Sequence, residues 1–99
     1  MEKSFPKTLK EVQLWLSANI KADMTLAVDT ETDGLHYNCK LKGISLCTGT
    51  NAVYINLEDN TEFDAIVDLI LKTICEVKLL IGHNISFDLR VLTQYGLEL

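Results

Sequence analysis

Leu26-Ala27-Val28-Asp29-Thr30-Glu31-Thr32-Asp33-Gly34-Leu35 decides how the rest of the chain is read. An apolar, strand-prone run rises to two carboxylates one residue apart, then meets the turn signal Asp33-Gly34. On a strand, residues i and i+2 share a face. Asp29 and Glu31 are therefore expected to project together, with Val28 and Thr30 on the other side. Two anions held that close repel each other. Hard divalent cations take carboxylate oxygens and are the usual means of holding such a pair. The stretch reads as half of a magnesium or manganese site.

Ninety-nine residues make one small domain with a single core. The composition, 47% hydrophobic and 23% charged, is that of an ordinary globular chain. A formal net charge of −5 excludes a general basic surface. Attraction for a nucleic acid would have to come from bound metal, a local patch or another domain. Cys39, Cys47 and Cys75 form an odd set without a C-x-x-C pair, which argues against zinc and for a reducing compartment. With no signal-peptide pattern, the expected location is cytoplasmic. No apolar run approaches the ~20 residues of a membrane span. The longest, at 67–71, is broken by Asp68 and bounded by Lys72.

Upstream of the acidic strand, residues 1–7 read as a polar lead. Thr8-Leu9-Lys10-Glu11 is a capping-box pattern. Leu9, Val12, Leu16 and Ile20 follow at helical spacing, so a packing helix is expected over 8–21. The first strand is expected over 25–30. A polar loop, 36–40, leads to a second strand over 41–48. Its alternation puts Leu41, Gly43, Ser45 and Cys47 on one face, and Ile44 and Leu46 on the other. Gly49-Thr50-Asn51 turns into a third strand over 52–57, completing an antiparallel meander. Thr61-Glu62-Phe63-Asp64 shows a second capping-box pattern. Phe63, Ile66, Val67, Ile70, Leu71 and Ile74 then keep the clearest helical period in the chain. Residues 78–82 read as a short buried strand. Ser86-Phe87-Asp88 opens a third helix that Gly96 stops at C′. His83 reads as a turn residue, and Trp15 and Tyr54 as core. The helical crossover should be right-handed and set the fourth strand parallel to a neighbour. The expected fold class is α/β: a mixed sheet with an antiparallel three-strand meander plus one parallel strand, flanked by helices.

Asp88 then lies in the first turn of a helix leaving a strand. If that strand pairs beside the first, Asp88 comes near the end where Asp29 and Glu31 sit, a usual place for ligands in open sheets. Asn84 at the strand exit either meets a substrate group or caps the helix.

Val28-Asp29-Thr30-Glu31-Thr32 followed by Gly82-His83-Asn84-Ile85-Ser86-Phe87-Asp88 resembles the first two motifs of the DEDD 3′–5′ exonucleases, which have an RNase H-like sheet. Within them the chain is most similar to the proofreading domain of family-A polymerases, the DNA polymerase I type. Asp33, Leu35, Lys42-Gly43-Ile44-Ser45, Leu92 and Tyr95-Gly96-Leu97-Glu98-Leu99 fit that subgroup. The resemblance implies hydrolysis of terminal phosphodiesters of single-stranded DNA, from the 3′ end, with two Mg²⁺ or Mn²⁺ ions. It implies Asp29, Glu31 and Asp88 as catalytic metal ligands. Thr32 and Leu35 match contacts to the terminal nucleotide. Asn84 matches a polar substrate contact, and Phe87 an apolar position beside the site.

The family pattern also has a fourth carboxylate, preceded by a Tyr or His that orients water. After Asp88 only Glu98 is acidic, and its spacing from Tyr95 and its element are wrong. Residues 1–99 are therefore expected to be the N-terminal portion of an exonuclease domain, with weak metal binding and little catalysis alone. The expected partners are a 3′ DNA end, and a polymerase domain or the C-terminal half of the domain. The alternative is a non-catalytic module that binds a partner chain through an incomplete sheet face.

Overall fold

The computed structural model describes residues 2–34 and 39–98. The expected substrate contact Leu35, and His36 of the expected loop, lie outside the described residues. The elements are β1 (Glu2–Ser4), α1 (Leu9–Asn19), β2 (Thr25–Thr32), β3 (Leu41–Cys47), β4 (Asn51–Asn56), α2 (Phe63–Ile74), β5 (Leu79–Ile81) and α3 (Ile85–Thr93). The sheet order is β1-β4-β3-β2-β5. β2, β3 and β4 form the expected antiparallel meander, and β5 runs parallel to β2. The strand β1, parallel to β4, falls in the stretch read as a polar lead. Three residues are too few to show an alternation.

Period-2 alternation sorts the sheet into two unlike faces. Leu26 and Val28 of β2, Ile44 and Leu46 of β3, and Val53 and Ile55 of β4 are buried on one side. Val12 and Leu16 of α1, Ile66, Val67, Ile70, Leu71 and Ile74 of α2, and Val91 and Leu92 of α3 join the same cluster. All three helices thus bury their apolar stripes on one face of the sheet. Among the described residues no helix is long and apolar enough to cross a membrane.

Several local expectations need correction. β2 runs two residues further than expected, so the carboxylates lie within the strand rather than at its end. Its pairing shifts beyond Glu31: Glu31 faces Gly43, but Thr32 faces Leu41. This bulge turns Leu41 into the core, away from the face of Gly43 and Ser45. α1 has the Thr8–Glu11 capping box, but α2 does not. Glu62 makes no cap bond, and its Oε1 accepts from Leu9 N–H at 3.1 Å, joining the starts of two helices. β5 is an edge strand rather than a buried one, and Leu79 (54% exposed) and Ile81 (46%) share the helix-free face with their partners Thr25 and Ala27, while Leu80 packs on the core. Gly96 takes the expected positive φ of 110°, two residues past the C-cap Gln94 rather than one.

Candidate functional site

The centre of the sheet positions the acidic pair. β2 lies between β3 and β5, so its backbone is tied on both sides near Ala27. Asp29 and Glu31 are both exposed on the face without helices, as their spacing requires. Thr30 between them is buried, 8% exposed, on the helix side. Across the open face Asp29 pairs with Ser45, and Ser45 with Tyr54. Tyr54 is not a core residue. Its ring lies across Gly43, where a Cβ would run into the hydroxyl, and Gly43 is the strand partner of Glu31. Glycine at 43 thus leaves room for the Tyr54 ring beside the strand partner of Glu31.

Asp88 arrives from the other side. β5 stops pairing at Ile81, opposite Ala27, and α3 begins four residues later. Beyond that point the β5-facing edge of β2 has no strand to bond. The Asp88 carboxylate fills the gap: Oδ1 accepts from Thr30 N–H at 3.1 Å and from the Thr30 hydroxyl at 2.6 Å. Asp88 is 2% exposed, and its Oδ2 has no hydrogen-bond partner. Gly82 permits this approach. A Cβ there would stand 2.6 Å from the Val28 carbonyl oxygen and 3.4 Å from Asp88 Oδ2.

The structure thus brings the two acidic segments together, although not as a three-carboxylate cluster. Among the described residues, no group of three or more His, Cys, Asp or Glu side chains could hold a metal ion. Asp29 and Glu31 leave one face, while Asp88 grips the residue between them. The carboxylate chemistry fits a hard divalent cation, and the orphaned Oδ2 is an acceptor with nothing to accept. Buried polar atoms are nearly always satisfied, so this exception calls for a reason.

Other expected residues are scattered around this centre. Asn84 is exposed and makes no side-chain cap bond to α3, so the capping alternative is not what the structure shows. The Thr32 hydroxyl donates to Gly34 carbonyl oxygen at 2.7 Å, closing the turn after β2. Phe87 is half-buried, with the Arg90 guanidinium 5.2 Å from its ring centre. A groove of about 360 Å³ opens on the helix-free face. Asp29, Ser45, Tyr54, Lys3, Gly82 and His83 are among its lining residues. The sequence reading missed Thr30 and Tyr54. Thr30 was legible only as a residue facing away from the acidic pair. For Tyr54 the alternation of β4 was the available signal, since it opposes Val53 and Ile55.

A family model described as 3′–5′ exonuclease matches residues 5–99. Among curated proteins none matches the chain. Among solved structures, the EXO domain of Aedes aegypti Nibbler superposes with a TM-score of 0.71 at 13% identity, covering 99% of this chain and 48% of that one. Escherichia coli RNase D, an exoribonuclease involved in structured RNA processing, superposes with a TM-score of 0.71 at 24% identity. That match covers 100% of this chain and 26% of RNase D, so the chain spans about half of one relative and a quarter of the other. The mixed sheet with helices is the RNase H-like fold of these exonucleases. With the family model covering all but the first four residues, the chain belongs to the 3′–5′ exonuclease family.

Proposed function

We propose that this chain is the metal-binding part of a 3′–5′ exonuclease of the proofreading type, acting on the 3′ end of single-stranded DNA. The observation that carries the reading is the meeting of two acidic motifs, with Asp88 bonded to Thr30 across 58 residues of sequence. Asp29, Glu31 and Asp88 are the residues that would hold two Mg²⁺ or Mn²⁺ ions. When bound, such ions supply Lewis-acid stabilisation of the entering and leaving oxygens of a phosphodiester.

The remaining roles belong to the chain itself. Asp29 and Glu31 offer carboxylates to solvent on one face, where a substrate phosphate can approach only with cations between. Asp29 lines the groove, whose apolar floor suits the flat faces of a nucleoside. Thr32 and Asn84 stand close in sequence to the two motifs and provide polar contacts to the terminal nucleotide. Leu35 and Phe87 provide apolar ones. No residue after Asp88 fits the fourth carboxylate of the family pattern. We assign that group to the C-terminal half of the domain, so activity of these 99 residues alone is expected to be low. The likeness to RNase D, an exoribonuclease, makes RNA the competing substrate.

Thermal unfolding tests the metal site. A cation at ten times its Kd adds about 1.4 kcal/mol, which is several degrees in Tm for a domain of this size. Millimolar Mn²⁺ should raise Tm, and Asp29→Ala should abolish the rise. An unchanged Tm in the parent chain would sink the reading. Competition between labelled DNA and RNA 3′ ends in Mn²⁺ tests the sugar, and stronger binding of RNA would overturn the DNA assignment.

A further inference from the structure

Asp88 has an asymmetric carboxylate. Both donors it meets, the hydroxyl and the backbone N–H of Thr30, converge on Oδ1. Oδ2 meets none, although the residue is 2% exposed. The backbone bond has a structural reason, since it satisfies an N–H that β5 no longer reaches. The hydroxyl of Thr30, a residue only 8% exposed, is likewise satisfied by Asp88, and this second bond to the same oxygen does more than satisfy a donor. Its effect is orientation. Two donors on one oxygen hold the carboxylate against rotation and leave Oδ2 on the side of Gly82, where a Cβ would stand 3.4 Å from it.

We propose that Thr30 is a positioning residue: its hydroxyl fixes the Asp88 carboxylate so that Oδ2 alone is presented to a divalent cation. This rests on the metal-site reading above. Groups that orient a ligating side chain typically contribute roughly 10–100-fold to metal affinity. Valine at 30 keeps the branched shape and the backbone N–H and removes only the hydroxyl. Serine keeps the hydroxyl and removes the methyl.

The test is calorimetric titration of Mn²⁺ into the parent chain and into Thr30→Val, Thr30→Ala and Thr30→Ser, with Asp29→Asn as reference. Circular dichroism selects a temperature at which each variant is folded, so a loss of stability does not count as a loss of affinity. The expected result is Mn²⁺ affinity lowered by roughly tenfold or more in Thr30→Val, and in Thr30→Ala should valine not fold. Thr30→Ser should restore it. Parent-like affinity in the hydroxyl-free variants, with Asp29→Asn defective, would overturn the positioning role and leave the metal site standing. Equal weakening by serine and valine would also overturn it. Absence of Mn²⁺ binding by the parent chain would overturn both.

Discussion

Where β5 ends, the N–H of Thr30 points from the edge of β2 at no strand, and Asp88 Oδ1 takes the place of the absent neighbour. This gives Asp88 a structural role separable from any chemistry. Asp88→Ala leaves the Thr30 N–H without its acceptor and should cost about 1–3 kcal/mol. Asp88→Asn keeps a carbonyl oxygen at the same place and should retain most of that stability while losing the cation. Urea unfolding with a chelator present separates the two, and equal losses would refute the strand-cap role. At this scale the sequence was half legible. Alternation put Asp29 and Glu31 on one face and Thr30 on the other, because side-chain direction on a strand is local geometry. That Thr30 would hold Asp88 was not legible, because the two are 58 residues apart.

At the scale of elements, the contrast between the two capping-box patterns is instructive. In α1 the Glu11 carboxylate accepts from the N–H groups of Lys7 and Thr8, each at 3.1 Å, and from the Thr8 hydroxyl at 3.2 Å. Those bonds, the one from Lys7 first, hold the Glu11 pKa below the usual carboxylate range. Because the folded-state value is the lower one, the stabilisation is present above the ordinary glutamate pKa. It is lost as pH falls through the lowered value. The first-turn amide of Val12, bonded to Thr8 carbonyl oxygen, should therefore lose hydrogen-exchange protection on acidification. Glu11→Gln should flatten that pH dependence, and an unchanged profile would refute the assignment. Glu62 shows the same pattern in sequence, but the tertiary partner Leu9 N–H captures it. β5 has an apolar composition suited to a buried strand, yet Leu79 and Ile81 are exposed because they fall on the helix-free face of the sheet.

For the whole molecule, the decisive feature is the two-layer build. Three helices cover one face of the sheet, and the other carries Asp29, Glu31 and the groove. With a net charge of −5, a phosphate backbone is repelled unless cations sit on that face. Binding of a fluorescent single-stranded oligonucleotide should therefore weaken by roughly tenfold or more when a chelator removes divalent ions. Fluorescence anisotropy reads this directly, and chelator-insensitive binding would place the nucleic acid elsewhere.

The sequence by itself determined the element order from α1 to α3, the meander, the parallel strand β5 and the common face of Asp29 and Glu31. Each follows from local periodicity or from the handedness of a crossover. Only the tertiary structure decided that Thr30 grips Asp88, that Glu62 meets Leu9 and that Tyr54 lies over Gly43 on an open face. Those contacts join residues distant along the chain, and which groups meet is set by how helices and strands stack rather than by any short run of residues.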